Sequence, residues 1–325
     1  MPPRPFRLVA APFTPFAANG DLELSVVEEQ ADLLAHNDVA SAFVGGTTGE
    51  CMSLSVAERR MLAETWIRAA VGRLGVIVHV GHNCQRDAIE LARHADRSGA
   101  AAIAATAPCF VKPADVESLV NFCEPIAAAA PDLPFYYYHL PSITGVALPM
   151  VNFLQVAGRR IPNLVGMKYS HDDLSELSAC VAFDNERYEI LFGRDESLLA
   201  ALALGVRGAI GSTYNFMAPL YHRLIAAFDS GDLPAAQAEQ GHALQLARSL
   251  ARFGPAAFAA SKAVMRWVGV DCGPVRSPLR QLSSAQSDQL AGELSRLGFD
   301  AICAKTAGAA AARRTSRASR TPVLR

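Results

Sequence analysis

One lysine, Lys168, interrupts the apolar run Leu164-Val165-Gly166-Met167-Lys168-Tyr169, and the next charged residue is Asp172. The run is entered through Ile161-Pro162-Asn163 and left through Ser170-His171-Asp172, which marks it as a short buried strand. Burial strips hydration from an ammonium group and favours the free amine. A free amine attacks carbonyl carbon, the entry to Schiff-base chemistry. A lysine whose stem packs while its ammonium reaches solvent fits the same position. Its neighbours decide between the two.

Other strand-like runs end in residues that could serve such an amine. Gly45-Gly46-Thr47-Thr48-Gly49-Glu50 combines glycines, which let a turn expose backbone N–H groups, with the hydroxyls of Thr47 and Thr48. That composition suits a carboxylate ligand. It lacks the lysine of a phosphate-binding loop, so no nucleotide is implied, and alone it also serves as a plain glycine turn. In Phe135-Tyr136-Tyr137-Tyr138-His139, strand alternation sends Tyr136 and Tyr138 to one face and Tyr137 to the other. A phenol at the strand end could move protons beside an amine or imine on the next strand. Tyr136 and Tyr137 are read as packing residues. Gly193-Arg194-Asp195-Glu196 and Gly211-Ser212-Thr213-Tyr214-Asn215 set carboxylates beside hydroxyls, a fit for a polyhydroxylated ligand. Asp195 and Glu196 fit a helix start equally well. His79, His82 and Cys84 have the spacing of metal ligands but no accompanying carboxylate, so no metal site is expected. Cys51 is read as an inert thiol, and His171, Asp172 and Asp173 as the start of a helix.

These residues need a scaffold that gathers strand ends. Strand-like runs fall at 7–13, 41–45, 75–81, 101–107, 134–139, 164–170, 188–193 and 208–213. Helical periodicity lies between them, for instance at 55–71, 85–97, 116–129 and 172–183, and Ser55 with Glu58 has capping-box spacing. Apolar strands alternating with helices imply a parallel sheet covered by helices. Eight such units close an α/β (β/α)8 TIM barrel, whose active site lies at the C-terminal strand ends. Helical stretches at 233–251, 255–268 and 283–297 then form a C-terminal extension. The expected organisation is a barrel carrying the site over residues 1–230, helices packed on it over 231–300, and a disordered basic tail over 301–325.

Bulk properties narrow the class of function. Of 325 residues, 51% are hydrophobic and 19% charged, enough for a large core, and the formal net charge of -1 argues against a nucleic-acid partner. No apolar stretch has membrane-spanning length, so no membrane partner is expected. Seven scattered cysteines without a CxxC pair suggest reduced thiols and a cytoplasmic location.

Thr47-Thr48-Gly49-Glu50, Tyr138, Lys168 and Gly193-Arg194-Asp195-Glu196, in this order on successive strands, resemble the N-acetylneuraminate lyase and dihydrodipicolinate synthase superfamily of class I aldolases. The resemblance runs from about residue 7 to about residue 298. Within it, the segment from Tyr136 to Val146, with Leu54 to Arg60 and Gly211 to Asn215, resembles the N-acetylneuraminate lyase branch. Synthases of the superfamily usually carry an arginine where this chain has Ile143. The resemblance implies that Lys168 forms the Schiff base, Tyr138 transfers protons, and Thr47 and Thr48 hold the substrate carboxylate. It further implies that Ser170, Gly193, Asp195, Glu196 and Ser212 meet sugar hydroxyls. Phe110 stands where some lyases place a tyrosine from a neighbouring subunit, and no catalytic role is assigned to it. The implied reaction is reversible retro-aldol cleavage of N-acetylneuraminate, a sialic acid, to N-acetylmannosamine and pyruvate, by a homotetramer without a cofactor. The alternatives are another pyruvate-dependent aldolase or dehydratase, synthase-like or acting on 2-keto-3-deoxy sugar acids, and a catalytically silent sugar-acid-binding protein.

Overall fold

A computed structural model describes residues 6–306 of the chain. Eight parallel strands close a barrel in chain order: β1 (Arg7–Ala10), β2 (Ser41–Val44), β3 (Gly75–His79), β4 (Ala102–Thr106), β5 (Phe135–His139), β6 (Leu164–Tyr169), β7 (Glu189–Phe192) and β8 (Gly208–Gly211). β8 pairs back onto β1, so no edge is left open. The α/β barrel with a C-terminal helical extension read from the sequence is therefore the observed architecture. Several strands stop short of the sequence reading. β1 ends before Pro12, which has no N–H to offer a ladder, and β2 ends where Gly45 turns at φ +67°.

Alternation divides the core into two layers. Val9, Phe43, Ile77, Ala104, Tyr136 and Tyr138 fill the barrel, while their strand neighbours face outward onto the helices. Tyr137 accordingly leaves the barrel and packs on Phe153 at 4.5 Å between ring centroids. The barrel floor is polar: Arg7 and the Tyr136 hydroxyl both donate to the Glu189 carboxylate, at 2.7 and 2.5 Å. One irregularity sets the register of the upper barrel. Phe135 pairs with Leu164 but Tyr136 with Gly166, so β6 gains one residue on β5. Beyond this bulge Tyr138 stands opposite Lys168.

A helix follows each strand, and the capping box at Ser55 is formed by both of its hydrogen bonds. Beyond the barrel come helices Leu233–Ala251, Ala257–Trp267 and Ser284–Arg296, close to the stretches read from the sequence. Among the described residues no helix is long and apolar enough to cross a membrane. The sequence places the start of the basic tail at 301, and here the chain differs. Phe299–Ile302 is a helical turn, Cys303 and Ala304 are buried, and the Ala304 N–H donates to the Phe216 carbonyl at 2.7 Å. Phe299, 1% exposed and edge-on to Phe216, supplies the anchor that a small-residue composition conceals. The rest of the tail lies outside the described residues.

His139 ends β5 on the outward face, 1% exposed, between Tyr169 and His171, with neither ring nitrogen hydrogen-bonded among the described residues. Burial, and then the nearby His171, push its pKa down from 6.5 to about 3. The Glu176 carboxylate, 3.9 Å away, is taken up by the Tyr169 hydroxyl and the Met150 N–H. Between about pH 6.5 and 3 the unfolded chain binds a proton at this histidine that the native state refuses. The stability it contributes is thus complete above pH 6.5 and falls with acid by up to about 1.4 kcal/mol per pH unit. Urea midpoints measured at about pH 7 and about pH 5 should separate more for the wild type than for His139→Phe. Equal separations would remove His139 from the acid limb.

Candidate active site

Lys168 and Tyr138 meet at the C-terminal mouth of the barrel. Lys168 is 4% exposed, and its Nζ lies 4.4 Å from the Phe43 ring centroid and 4.2 Å from that of Tyr138. Among the described residues no carboxylate reaches it within salt-bridge distance. The bulky neighbours fix the side chain: the alkyl stem is packed and the amine rests against aromatic walls. Phe43 meets Tyr138 edge-on at 5.4 Å, which fixes the phenol, and the Tyr138 oxygen lies 3.3 Å from Thr47 Oγ1. Strand alternation sets Tyr136 and Tyr138 apart from Tyr137, and the structure places Tyr138 beside the lysine.

The loop that carries Thr47 is held from three sides. The Gly45 carbonyl accepts from His79 Nδ1 at 2.9 Å, and Thr14 Oγ1 donates to the Gly49 carbonyl at 2.6 Å. Glu50 turns in the left-handed region (φ +56°) and is buried, with Oε1 3.0 Å from Lys262 Nζ and Oε2 accepting the Arg276 N–H at 2.9 Å. Lys262 also donates to the Thr14 and Pro274 carbonyls. Burial pulls the Lys262 ammonium down from its usual range, and the adjacent Glu50 carboxylate opposes that pull. These residues were not assigned from the sequence. Lys262 carries a signal of the Lys168 kind, a lone charge in the apolar stretch Ala257-Phe258-Ala259-Ala260-Ser261-Lys262-Ala263-Val264-Met265.

The opposite wall comes from the ends of β6, β7 and β8. Ser170 is buried and its hydroxyl has no partner among the described residues. Gly193 makes room for it: a Cβ on Gly193 would stand 1.9 Å from Ser170 Oγ. Asp195 lies in the short turn Asp195–Ser197 and is buried against Gly211, where a Cβ would stand 1.9 Å from Oδ1. Its Oδ2 accepts the Thr213 N–H at 2.8 Å and hydroxyl at 2.6 Å. Burial raises its pKa, with the Thr213 hydrogen bonds acting the other way. One oxygen of Asp195 is therefore committed to the protein. Glu196 lies nearer solvent and pairs with Arg194. Asp173 caps helix Leu174–Ala182, as read, whereas Asp172 reaches Arg194.

One cavity of about 280 Å³ brings together Thr47, Thr48, Tyr138, Lys168, Ser170, Gly193, Asp195, Glu196 and Ser212. The C-terminal helices complete it through Ala247, Leu250 and Ser261. A mainly apolar neighbour of about 370 Å³ shares Thr47, Leu140 and Ile143 with it. Phe110 lines neither and is 88% exposed. His79, His82 and Cys84 do not converge. His79 is buried beside Tyr138, while His82 sits near the surface and accepts the Cys84 N–H. Burial and then the Arg59 guanidinium hold the His79 pKa well below the imidazole range. The assembled groups can capture a ketone as an imine, move a proton at a phenol and bind a carboxylate and hydroxyls.

Comparison with known proteins agrees with that chemistry. Residues 4–297 match the dihydrodipicolinate synthetase family. The N-acetylneuraminate lyase of Danio rerio is 41% identical over 291 residues, covering 88% of this chain and 94% of that one. The N-acetylneuraminate lyase of Homo sapiens is 40% identical over 296 residues, covering 90% and 92%. Among solved structures, the Proteus mirabilis N-acetylneuraminate lyase superposes with a TM-score of 0.88 at 40% identity, covering 90% of this chain and 99% of that one.

Replacing Lys262 with Met would strand the Glu50 carboxylate in a buried position. The expected loss is about 3–5 kcal/mol of stability, read as a lowered urea midpoint. Lys262→Met together with Glu50→Gln should recover part of it. A midpoint unchanged in the single variant would show that the pair does not hold the loop.

Proposed function

The chain belongs to the dihydrodipicolinate synthetase family, and from that premise we propose that it is a class I carbon–carbon lyase cleaving N-acetylneuraminate reversibly to N-acetylmannosamine and pyruvate. The observation that carries the reading is the pairing of Lys168 with Tyr138 across β5 and β6, with Thr47 Oγ1 3.3 Å from the phenol oxygen. The lyase relatives at about 40% identity over nine-tenths of the chain support the substrate.

In the proposed reaction, the Lys168 amine attacks the ketone carbon of the open-chain sugar acid. Loss of water gives a protonated imine, whose nitrogen is the electron sink. Thr47 and Thr48 hold the neighbouring carboxylate through hydroxyl and backbone donors. Tyr138, as phenolate or in concert with that carboxylate, takes the proton from the hydroxyl on carbon 4. The bond between carbons 3 and 4 breaks, its electrons pass to the imine, and carbon 4 leaves as the aldehyde of N-acetylmannosamine. The remaining enamine is protonated at carbon 3, and hydrolysis frees pyruvate and the amine. Splitting the cleavage into imine formation and carbon–carbon scission replaces one hard step by two easier ones. Ser170, Asp195, Glu196 and Ser212 receive the sugar hydroxyls, and Gly193 keeps the space that Ser170 needs.

Ile143 favours a lyase over a synthase of the same family. It lines the mouth of both cavities and is 65% exposed. An apolar side chain there cannot pair with the carboxylate of a second substrate, as an arginine would. The proposal includes a homotetramer in the cytoplasm; Phe110 and Val111, 88% and 77% exposed, are apolar surface for such an assembly to bury.

Pyruvate release from N-acetylneuraminate should occur with the wild type and vanish with Lys168→Ala, which should also resist borohydride trapping with pyruvate. Tyr138→Phe should still be trapped, while cleavage slows by about 10²–10⁴-fold. Full turnover by Lys168→Ala would sink the mechanism. Trapping by wild type without any cleavage would keep the amine and discard the sugar acid.

A further inference from the structure

Arg194 lines the same cavity as Lys168, and the steps above leave it without a part. It follows Gly193 at the end of β7, with its side chain at the rim, 31% exposed. Its Nε donates to Glu196 Oε1 at 2.8 Å, and its Nη2 stands 2.8 Å from the same oxygen. The same Nη2 lies 3.0 Å from Asp172 Oδ1, on the loop that follows β6. One guanidinium therefore ties two strand-end loops together on the side of the cavity away from Thr47 and Thr48.

A glutamate at a half-open rim has several rotamers, and each must be frozen when a flexible polyol binds. A planar guanidinium holding one carboxylate oxygen in a fork removes that freedom before the ligand arrives. The second oxygen, Oε2, accepts no hydrogen bond among the described residues and is left for hydroxyl donors. The charge also offsets repulsion between Asp172 and Glu196, both drawn to one point. As a contribution to folding such an exposed pair is worth little. Its effect is on orientation.

We propose that Arg194 is a positioning residue for substrate recognition: acting through Glu196, it sets the affinity for the polyhydroxylated sugar half of the substrate and leaves the pyruvate half untouched. This rests on the lyase reading of the cavity. The division follows from where the groups stand. Carboxylate binding occurs at Thr47 and Thr48, on the other wall, and imine formation at Lys168, which makes no hydrogen bond with the Arg194–Glu196 fork among the described residues.

Condensation of pyruvate with N-acetylmannosamine separates the two halves, because each substrate has its own KM. Arg194→Ala should raise KM for N-acetylmannosamine about tenfold, the loss of one charge-assisted interaction, with KM for pyruvate and borohydride trapping of pyruvate unchanged. Arg194→Lys should recover only part, since a point charge replaces a fork. Glu196→Gln combined with Arg194→Ala should be no worse than Glu196→Gln alone, because the arginine acts through that carboxylate. An unchanged KM for N-acetylmannosamine in Arg194→Ala, equal shifts for both substrates, or additive losses in the double variant would each overturn the proposal. If wild type traps pyruvate but does not condense it with N-acetylmannosamine, the lyase reading falls, and this inference falls with it.

Discussion

The chemistry depends on a one-residue slip between two strands. Phe135 pairs with Leu164, and Tyr136 pairs with Gly166. Had the register continued without the bulge, Tyr138 would pair with Met167, and Lys168 would take the outward place that Met167 now holds. Because strand side chains alternate, a shift of one residue exchanges inside for outside along the rest of a strand. The bulge restores the match, so both Tyr138 and Lys168 point into the barrel at one level. Bulges are found beside active sites because they re-aim a side chain without disturbing the fold around it.

Barrel closure supplies the second constraint. Lys168 rests between the Phe43 and Tyr138 rings, and those rings come from β2 and β5, which are not adjacent. Only a sheet closed on itself brings three such strands around one amine. The same closure collects the loops after β2, β6, β7 and β8 around a single cavity, each contributing a different polar function. Small residues do as much as polar ones: Gly193 and Gly211 stand where any side chain would collide with Ser170 and Asp195.

Much of this was legible in the chain because it rests on local pattern. Apolar runs gave all eight strands, and alternation alone separated Tyr138 from Tyr137. A charge isolated in a buried run identified Lys168. The same kind of signal at Lys262 marks a structural ion pair, so an isolated buried lysine announces a partner or a reaction without saying which. What stayed hidden depends on distance in sequence. The bulge is a property of two strands together. Glu50 is explained by residues more than two hundred positions away. The commitment of one Asp195 oxygen to Thr213 and the bridge from Arg194 to Asp172 require the folded loops. The stretch beyond Asp300 was not legible because its anchors are distant in sequence: Phe299 and Ala304 meet Phe216, and Lys305 exchanges hydrogen bonds with Asn37.

The tie between Glu50 and the segment carrying Lys262 and Arg276 has a further consequence, for how such proteins can be recombined. The loop after β2 and the helices after the barrel are joined as one structural unit, although most of the chain separates them. A chimera that exchanged the C-terminal helices with those of a relative while keeping its own β2 loop would bring together halves of two different locks. Crossovers placed so that both pieces travel from the same parent preserve the lock.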